Sequence, residues 1–464
     1  MKTRTGLTLL LFLASSLAAD MNDAELTALV EQRIDGDRSA ACVAVARVGS
    51  TVARARVCAD PDRARELEAS ARFEIGSVSK AFVGVLAARL VAQGLIDLDE
   101  PLADLLPEHV VVPALDDQPI RLRHLLAHTS GLPRLPANMP KGDPHNPYAN
   151  LTPELLLESI GSLELEVPPG QRWEYSNFGA MLLSLALSQR AGVDLDELFE
   201  RELFGPLSMT SIAIGGEVIA GHDIGGNPVR PWDFTTNLAG VGGLRATLDD
   251  MVIWLQAALG EGPETVVAAL RQSFTEISAE GGVSMAWGWI RIPVNDRIVL
   301  VHDGGTAGFS SFMAIDPERG VASVVLSDTS LIDQGSLGDL AMHLIDPQLP
   351  LSKPRQPIAV AEGVDLADYT GSYPLFDGDT QFMGDFVLEV FAKDGGLHVQ
   401  GVGGGMEQPS FAVDPDGADR FVHPGLGLEL NFVRDGEGQV TLLDFHQGGM
   451  KLEGRRHQAL DSRQ

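Results

Sequence analysis

Lysine is scarce in this chain: 6 lysines stand against 28 arginines in 464 residues. Arginine stays protonated in proteins, whereas a lysine gives up its proton once buried or crowded by positive charge. A position that keeps lysine here is therefore a candidate for base chemistry. Positive charge as a whole is also short. With 34 basic and 64 acidic residues the formal charge is −30, which repels nucleic acid and anionic membrane surfaces. Beyond residue 20 no segment approaches the roughly 18 uninterrupted apolar residues of a membrane span, so no integral span is expected. Metal and cofactor motifs are missing as well. His124 and His128 stand four apart but enclose Leu-Leu-Ala, without the glutamate of a zinc hydrolase. The glycines of residues 401–405 precede neither lysine nor helix, so they make no phosphate loop.

What is present is a well-buried chain, 44% hydrophobic with mean hydropathy +0.06, long enough for two or three domains. It opens MKTRTGLTLLLFLASSLAAD: a basic start, an apolar run from Leu7 to Leu13, then small residues with Ser16-Leu17-Ala18 as a cleavage site. That pattern predicts a secretory signal peptide over residues 1–19, and a periplasmic or secreted protein. Its removal takes away Lys2 and Arg4 and no acid, moving the charge from −30 to −32. Residues 20–346 are expected to form the main domain, with a helix over 22–35 and a hairpin, CVAVARVGSTVARARVC, next. A loop over Gly49 to Thr51 sets Cys42 opposite Cys58, either as a disulfide or as two thiols buried under a sheet. A helix begins at Ser79 and ends at Gly94. A mostly helical middle runs to about residue 260, and strands return at 285–292, 298–302, 309–315 and 321–327. Four prolines mark a linker at 347–358. Short alternating strands with Asp-Gly turns over 359–464 predict an all-β barrel or sandwich. Hairpin first, helices in the middle and strands last suggest one antiparallel sheet closed by both ends of the domain.

Three patches carry chemistry. In FEIGSVSKAF, Ser77 and Lys80 are three apart where a helix begins, so they share a face; burial against Phe82 and Val83 would push the amine towards neutral and make it a base for the serine. In RWEYSNFGAMLL, Tyr175 can relay protons and Asn177 can orient lysine and substrate. The alternative there is structural, with Asn177 capping the helix and Tyr175 in the core. In VHDGGTAGF, a strand ends in His302-Asp303-Gly304-Gly305, where glycines admit a substrate backbone and an N–H can face an oxyanion. Trp287 and Trp289 alternate in a strand and are expected to pack in the core.

The order Ser77-x-x-Lys80, Tyr175-x-Asn177, His302-x-Gly304, with LLAHTSGLP, VPPGQRWEYSNFGAMLL and GVGGLRATLDDM around it, resembles the serine β-lactamase and penicillin-binding-protein superfamily over residues 25–345. It resembles especially the class C-like branch with its D-aminopeptidases, esterases and related serine peptidases. It implies an α/β (α+β) fold: an antiparallel sheet flanked by helices with a mostly helical subdomain, then a small lipocalin-like β-barrel. It implies Ser77 as acyl-accepting nucleophile, Lys80 and Tyr175 as its proton-handling partners, and Asn177, His302, Asp303 and Gly304 as positioning groups. The Ser77 and Gly305 N–H groups would form the oxyanion hole, with no metal and no cofactor. The third motif departs from the Lys-Thr-Gly of members acting on β-lactams or D-alanine peptides, losing the groups that favour a carboxylate. The expected activity is hydrolysis of small esters or of amides of D-residue-containing peptides. A β-lactamase or D-alanyl-D-alanine carboxypeptidase is the alternative within the class. An acylated sensor or scaffold is the alternative outside it, and a homo-oligomer is left open.

Overall fold

The computed structural model describes residues 20–37, 39, 41–140, 142, 146–330, 337–352, 364–382, 386–393, 395–403, 406–407, 410–423, 426–447 and 450–456. The expected signal peptide and residues 353–358 of the expected linker lie outside these residues. Helix α1 (Asp23–Ile34) starts from a capping box in which Asn22 and Glu25 satisfy each other's backbone N–H groups. The hairpin follows, β1 (Cys42–Val48) and β2 (Val52–Cys58), in the register Cys42 opposite Cys58 and Val48 opposite Val52. The two cysteines are joined in a disulfide.

The short β3 (Arg72–Glu74) leads through a 3-10 turn at Gly76–Val78 into α2 (Ser79–Ala92). After α3 (Asn177–Ala191), strand β4 (Leu244–Thr247) returns to pair with β3. Then come α4 (Leu248–Ala258), α5 (Glu264–Ser273), β5 (Ser284–Met285), β6 (Ile290–Val294), β7 (Arg297–Gly305), β8 (Ser310–Asp316), β9 (Val321–Ser327) and α6 (Gly338–Ile345). One antiparallel sheet runs β5-β6-β7-β8-β9-β1-β2. Val43 pairs with Ser327, so the two ends of this part of the chain meet in the middle of the sheet.

Both faces of the sheet are covered, which is why β1 and β9 are buried at every position. Ala44, Ala46, Val324 and Leu326 face a large core with α2 and α4; Val43, Val45, Val299 and Val325 face a smaller one under α1 and α6. Helices α2 and α3 are apolar nearly all round because they lie inside that larger core.

The expected strand over 285–292 is broken. Gly288 takes φ +73, and a Cβ there would stand 2.4 Å from the Lys80 carbonyl oxygen. The two tryptophans therefore flank a tight turn against α2 rather than alternate in a strand. Both are buried as expected, with their indole N–H groups donating to Thr275 and Ser273.

The C-terminal part is a closed barrel of β10 (Gly371–Asp377), β11 (Val387–Lys393), β12 (Gly396–Gly403), β13 (Phe411–Pro415), β14 (Arg420–His423), β15 (Leu428–Arg434), β16 (Val440–Gln447) and β17 (Met450–Arg455), each paired with the next. Leu375 pairs with Gly454, so β10 meets β17 and no long edge remains.

Candidate active site

Ser77 sits in the turn that launches α2, and two glycines bring that turn against the end of β7. Gly76 has φ +49, and a Cβ on it would lie 2.6 Å from the Gly305 nitrogen; one on Gly304 would lie 2.1 Å from the Ile75 carbonyl oxygen. Only hydrogen side chains allow this approach. Strand β7 also outruns β6: the last pair is Ile290 with Val301, which leaves residues 302–305 without a strand partner on that side.

One turn along α2, the Lys80 amine donates to the Ser77 hydroxyl at 3.0 Å and to the Val241 carbonyl at 2.6 Å. Lys80 is 4% exposed, and burial, helped by the charge of Arg134, lowers its pKa to about 7 against the pull of Asp303. The stem lines a small void with Val83, Leu126 and His128. Phe82, expected beside it, instead stacks on Trp254 with ring centroids 3.9 Å apart.

Tyr175 lies under the same amine, 5.0 Å from ring centroid to Nζ. Burial pushes its phenol up, the Ser77 hydroxyl offsetting part of this by hydrogen bonding. The phenol therefore stays protonated where the amine does not, and Lys80 is the better base of the two. The cap of α3 is Ser176, whose hydroxyl accepts from the Gly179 N–H at 2.9 Å, so Asn177 is not the capping residue. Asn177 is the first helical residue. Its amide donates to the Tyr148 hydroxyl at 3.0 Å, and its buried Oδ1 has no hydrogen-bond partner.

His302 is 1% exposed, with Nδ1 2.6 Å from the Asp303 carbonyl, and burial lowers its pKa to about 4. It is neutral at ordinary pH and supplies no cation. Asp303 is exposed, close enough to act on both Lys80 and Tyr175. The structure thus gathers Ser77, Lys80 and Tyr175 by direct contact, sets residues 302–305 beside them, and turns Asn177 towards Tyr148.

Three contributors escaped the sequence reading. His128, in the LLAHTSGLP stretch, takes φ +56; its carbonyl accepts from the Glu174 N–H at 2.8 Å and its Nδ1 from the Ser176 N–H at 3.2 Å. It grips the chain on both sides of Tyr175 and lays its ring 4.4 Å from that phenol. The Arg134 guanidinium stands 5.4 Å over the Tyr175 ring, and its backbone carbonyl accepts from the Asn177 N–H at 2.9 Å. Tyr148 stacks on Phe234 and holds Asn177. Only His128 lay in a stretch with a visible pattern.

The family model described as Beta-lactamase matches residues 26–340. The chain is 27% identical over 271 residues to the D-alanyl-D-alanine-carboxypeptidase/endopeptidase AmpH of Escherichia coli, covering 54% of this chain and 69% of that one. It is 24% identical over 286 residues to Protein flp of Staphylococcus aureus, covering 58% and 55%. Among solved structures, a β-lactamase/D-alanine carboxypeptidase from Yersinia pestis superposes with TM-score 0.55 at 23% identity, over 67% of this chain and 95% of that one. An octameric penicillin-binding protein homologue from Pyrococcus abyssi superposes with TM-score 0.57 at 17% identity, over 93% of this chain and 100% of that one.

Proposed function

Since the chain belongs to the β-lactamase family and is a hydrolase of that family, we propose that it works through an acyl-enzyme at Ser77 on small esters or on amides of D-residue-containing peptides. The observation that carries this is the 3.0 Å contact between the Ser77 hydroxyl and an amine whose pKa burial brings to about 7. Lys80 takes the proton as Ser77 Oγ bonds to the carbonyl carbon. The oxyanion is held by the N–H groups of Ser77 and Gly305, on the turn and strand end that Gly76 and Gly304 let approach. As the carbonyl re-forms, the bond to the leaving alcohol or amine breaks, and that group takes a proton from Lys80 by way of the Tyr175 phenol. Water then attacks the Ser77 ester by the reverse relay, releasing the acid and restoring the serine. The Asn177 Oδ1, an acceptor in need of a donor, suits a substrate N–H.

The site lacks a cation at the third motif, since His302 is neutral and Asp303 is acidic, which favours substrates without a free carboxylate there. A second reading, D-alanyl peptide carboxypeptidase, draws on the name of the Escherichia coli relative and on Arg134, an exposed guanidinium beside Tyr175 able to take a carboxylate. Export is proposed from the leader-like residues 1–19 and from the Cys42–Cys58 bond. Among the described residues no helix is long and apolar enough to cross a membrane.

Intact mass after incubation with a fluorophosphonate tests the nucleophile: one adduct on the wild type and none on Ser77→Ala is expected. A folded wild type that takes no adduct removes the hydrolase mechanism proposed here. Rates on a neutral ester, a D-aminoacyl amide, a D-alanyl-D-alanine peptide and nitrocefin then separate the substrate classes. Rapid release of D-alanine that is lost in Arg134→Ala would favour the second reading.

A further inference from the structure

One end of the barrel is filled and the other is not. At the filled end Tyr369, Tyr373, Phe421 and Phe432 interlock with ring centroids 4.9–5.7 Å apart. Elsewhere the inward residues Leu375, Leu388, Leu428 and Phe445 are buried yet border a cavity of about 570 Å³. An eight-strand barrel has an interior that its own side chains can fill or that can hold one small ligand, and an apolar void left open costs stability. One residue that keeps the void open is a glycine. Gly401 faces inward directly opposite Leu388 on β11, in extended strand where any L-residue fits.

The wall is chemically selective. In a chain of formal charge −30, none of the described residues lining the cavity is charged, and among them only Gln447 and Ser330 offer polar side chains. Ser330 and Ile224 come from the catalytic part, so the cavity closes against that part rather than against barrel strands alone.

We propose that the barrel cavity binds a single aliphatic chain carrying an uncharged, hydrogen-bonding head, the chain lying among Leu and Phe side chains and the head at Gln447 and Ser330. The narrow interior of an eight-strand barrel suits a slim flexible chain better than fused rings. A carboxylate head finds no cation among the described residues of the wall and would be desolvated without a partner.

The test uses the full-length protein and the neutral fluorophore N-phenyl-1-naphthylamine, displaced by 1-octanol, 1-decanol and 1-dodecanol. Saturable binding is expected, with displacement tightening about tenfold for each added pair of methylenes, and with 1-dodecanol outcompeting dodecanoate. Gly401→Leu narrows the void and weakens binding by about tenfold or more, while ester hydrolysis stays as in the wild type and melting is not lowered. No saturable binding, a flat chain-length series, dodecanoate equal to dodecanol, or unchanged binding in folded Gly401→Leu would each overturn the proposal. Should that variant not fold, Ile224→Trp, which intrudes from a turn of the catalytic part, carries the same expectation and the same reversal.

Discussion

Beside Ser77 the buried side chains are ionisable: Lys80, His128 and His302 are 4%, 3% and 1% exposed, and loss of hydration holds each below its ordinary pKa. Among the described residues, the wall of the barrel cavity carries no ionisable group. The first region gives up stability to keep an amine poised near neutrality; the second gives up packing to keep a volume. Both are departures from what maximal stability would choose, and they differ in which substitution repairs them. In the cleft the repair replaces a polar group by an apolar one, and removes activity. In the barrel it adds apolar bulk, and removes only the space.

The largest effect expected from breaking this contrast is in Lys80→Arg. Arginine keeps the charge and stays protonated, so the base is lost while the cation remains, and kcat/KM for a neutral ester should fall by about 10³–10⁴-fold. Binding of N-phenyl-1-naphthylamine should be untouched, and a loss of both would show that the two regions are not separate. The same base sets the pH profile of the wild type. Its pKa is lowered to about 7, and it must be neutral to act, so kcat/KM should fall about tenfold per unit as the pH drops below 7. His302 stays neutral down to about 4 and adds no step between. A profile flat from pH 5 to 8 would contradict Lys80 as base.

Next in size is the disulfide, which belongs to the catalytic part alone. The cysteines are 16 residues apart in sequence, and closing a loop of that length restricts the unfolded chain by about 3 kcal/mol. Replacing both by serine should lower the denaturant stability of the catalytic part by that order and leave chain-binding in the barrel unchanged. The smallest effect on stability, and the sharpest, is in Lys80→Met. An amine kept near neutral by burial is a net cost in the fold, so its removal should raise stability by roughly 1–3 kcal/mol while abolishing turnover. A melting temperature that falls instead would mean that its bonds to Ser77 and Val241 outweigh the desolvation.

The elements legible in advance were those written in local pattern. The hairpin register, with Cys42 opposite Cys58, follows from alternation around Gly49 to Thr51, and α2 from its apolar spacing and Gly94. The strands 309–315 and 321–327 came within a residue or so of β8 and β9 for the same reason. The strand expected over 285–292 failed because Gly288 is set by a contact with α2 far away in sequence, which no local pattern records. The cleft divides similarly. Ser77 and Lys80 lie three residues apart across the turn that launches α2, so their meeting is readable. Arg134 and Tyr148 reach the Tyr175 segment from separate loops, and only folding makes them neighbours. His128 looked like half of a histidine pair; its role depends on a left-handed backbone that its residue type does not announce.

The shortage of lysine has a practical side. At neutral pH an ordinary lysine is less than about 0.1% free amine, whereas Lys80, with its pKa near 7, is about half deprotonated. Lysine-directed chemistry on this protein is therefore cleft-directed for any reagent small enough to enter: cyanate or a compact acylating agent would find its most reactive lysine beside Ser77 and register as inactivation. Coupling to a support is better routed through the abundant surface carboxylates, which leave that amine free.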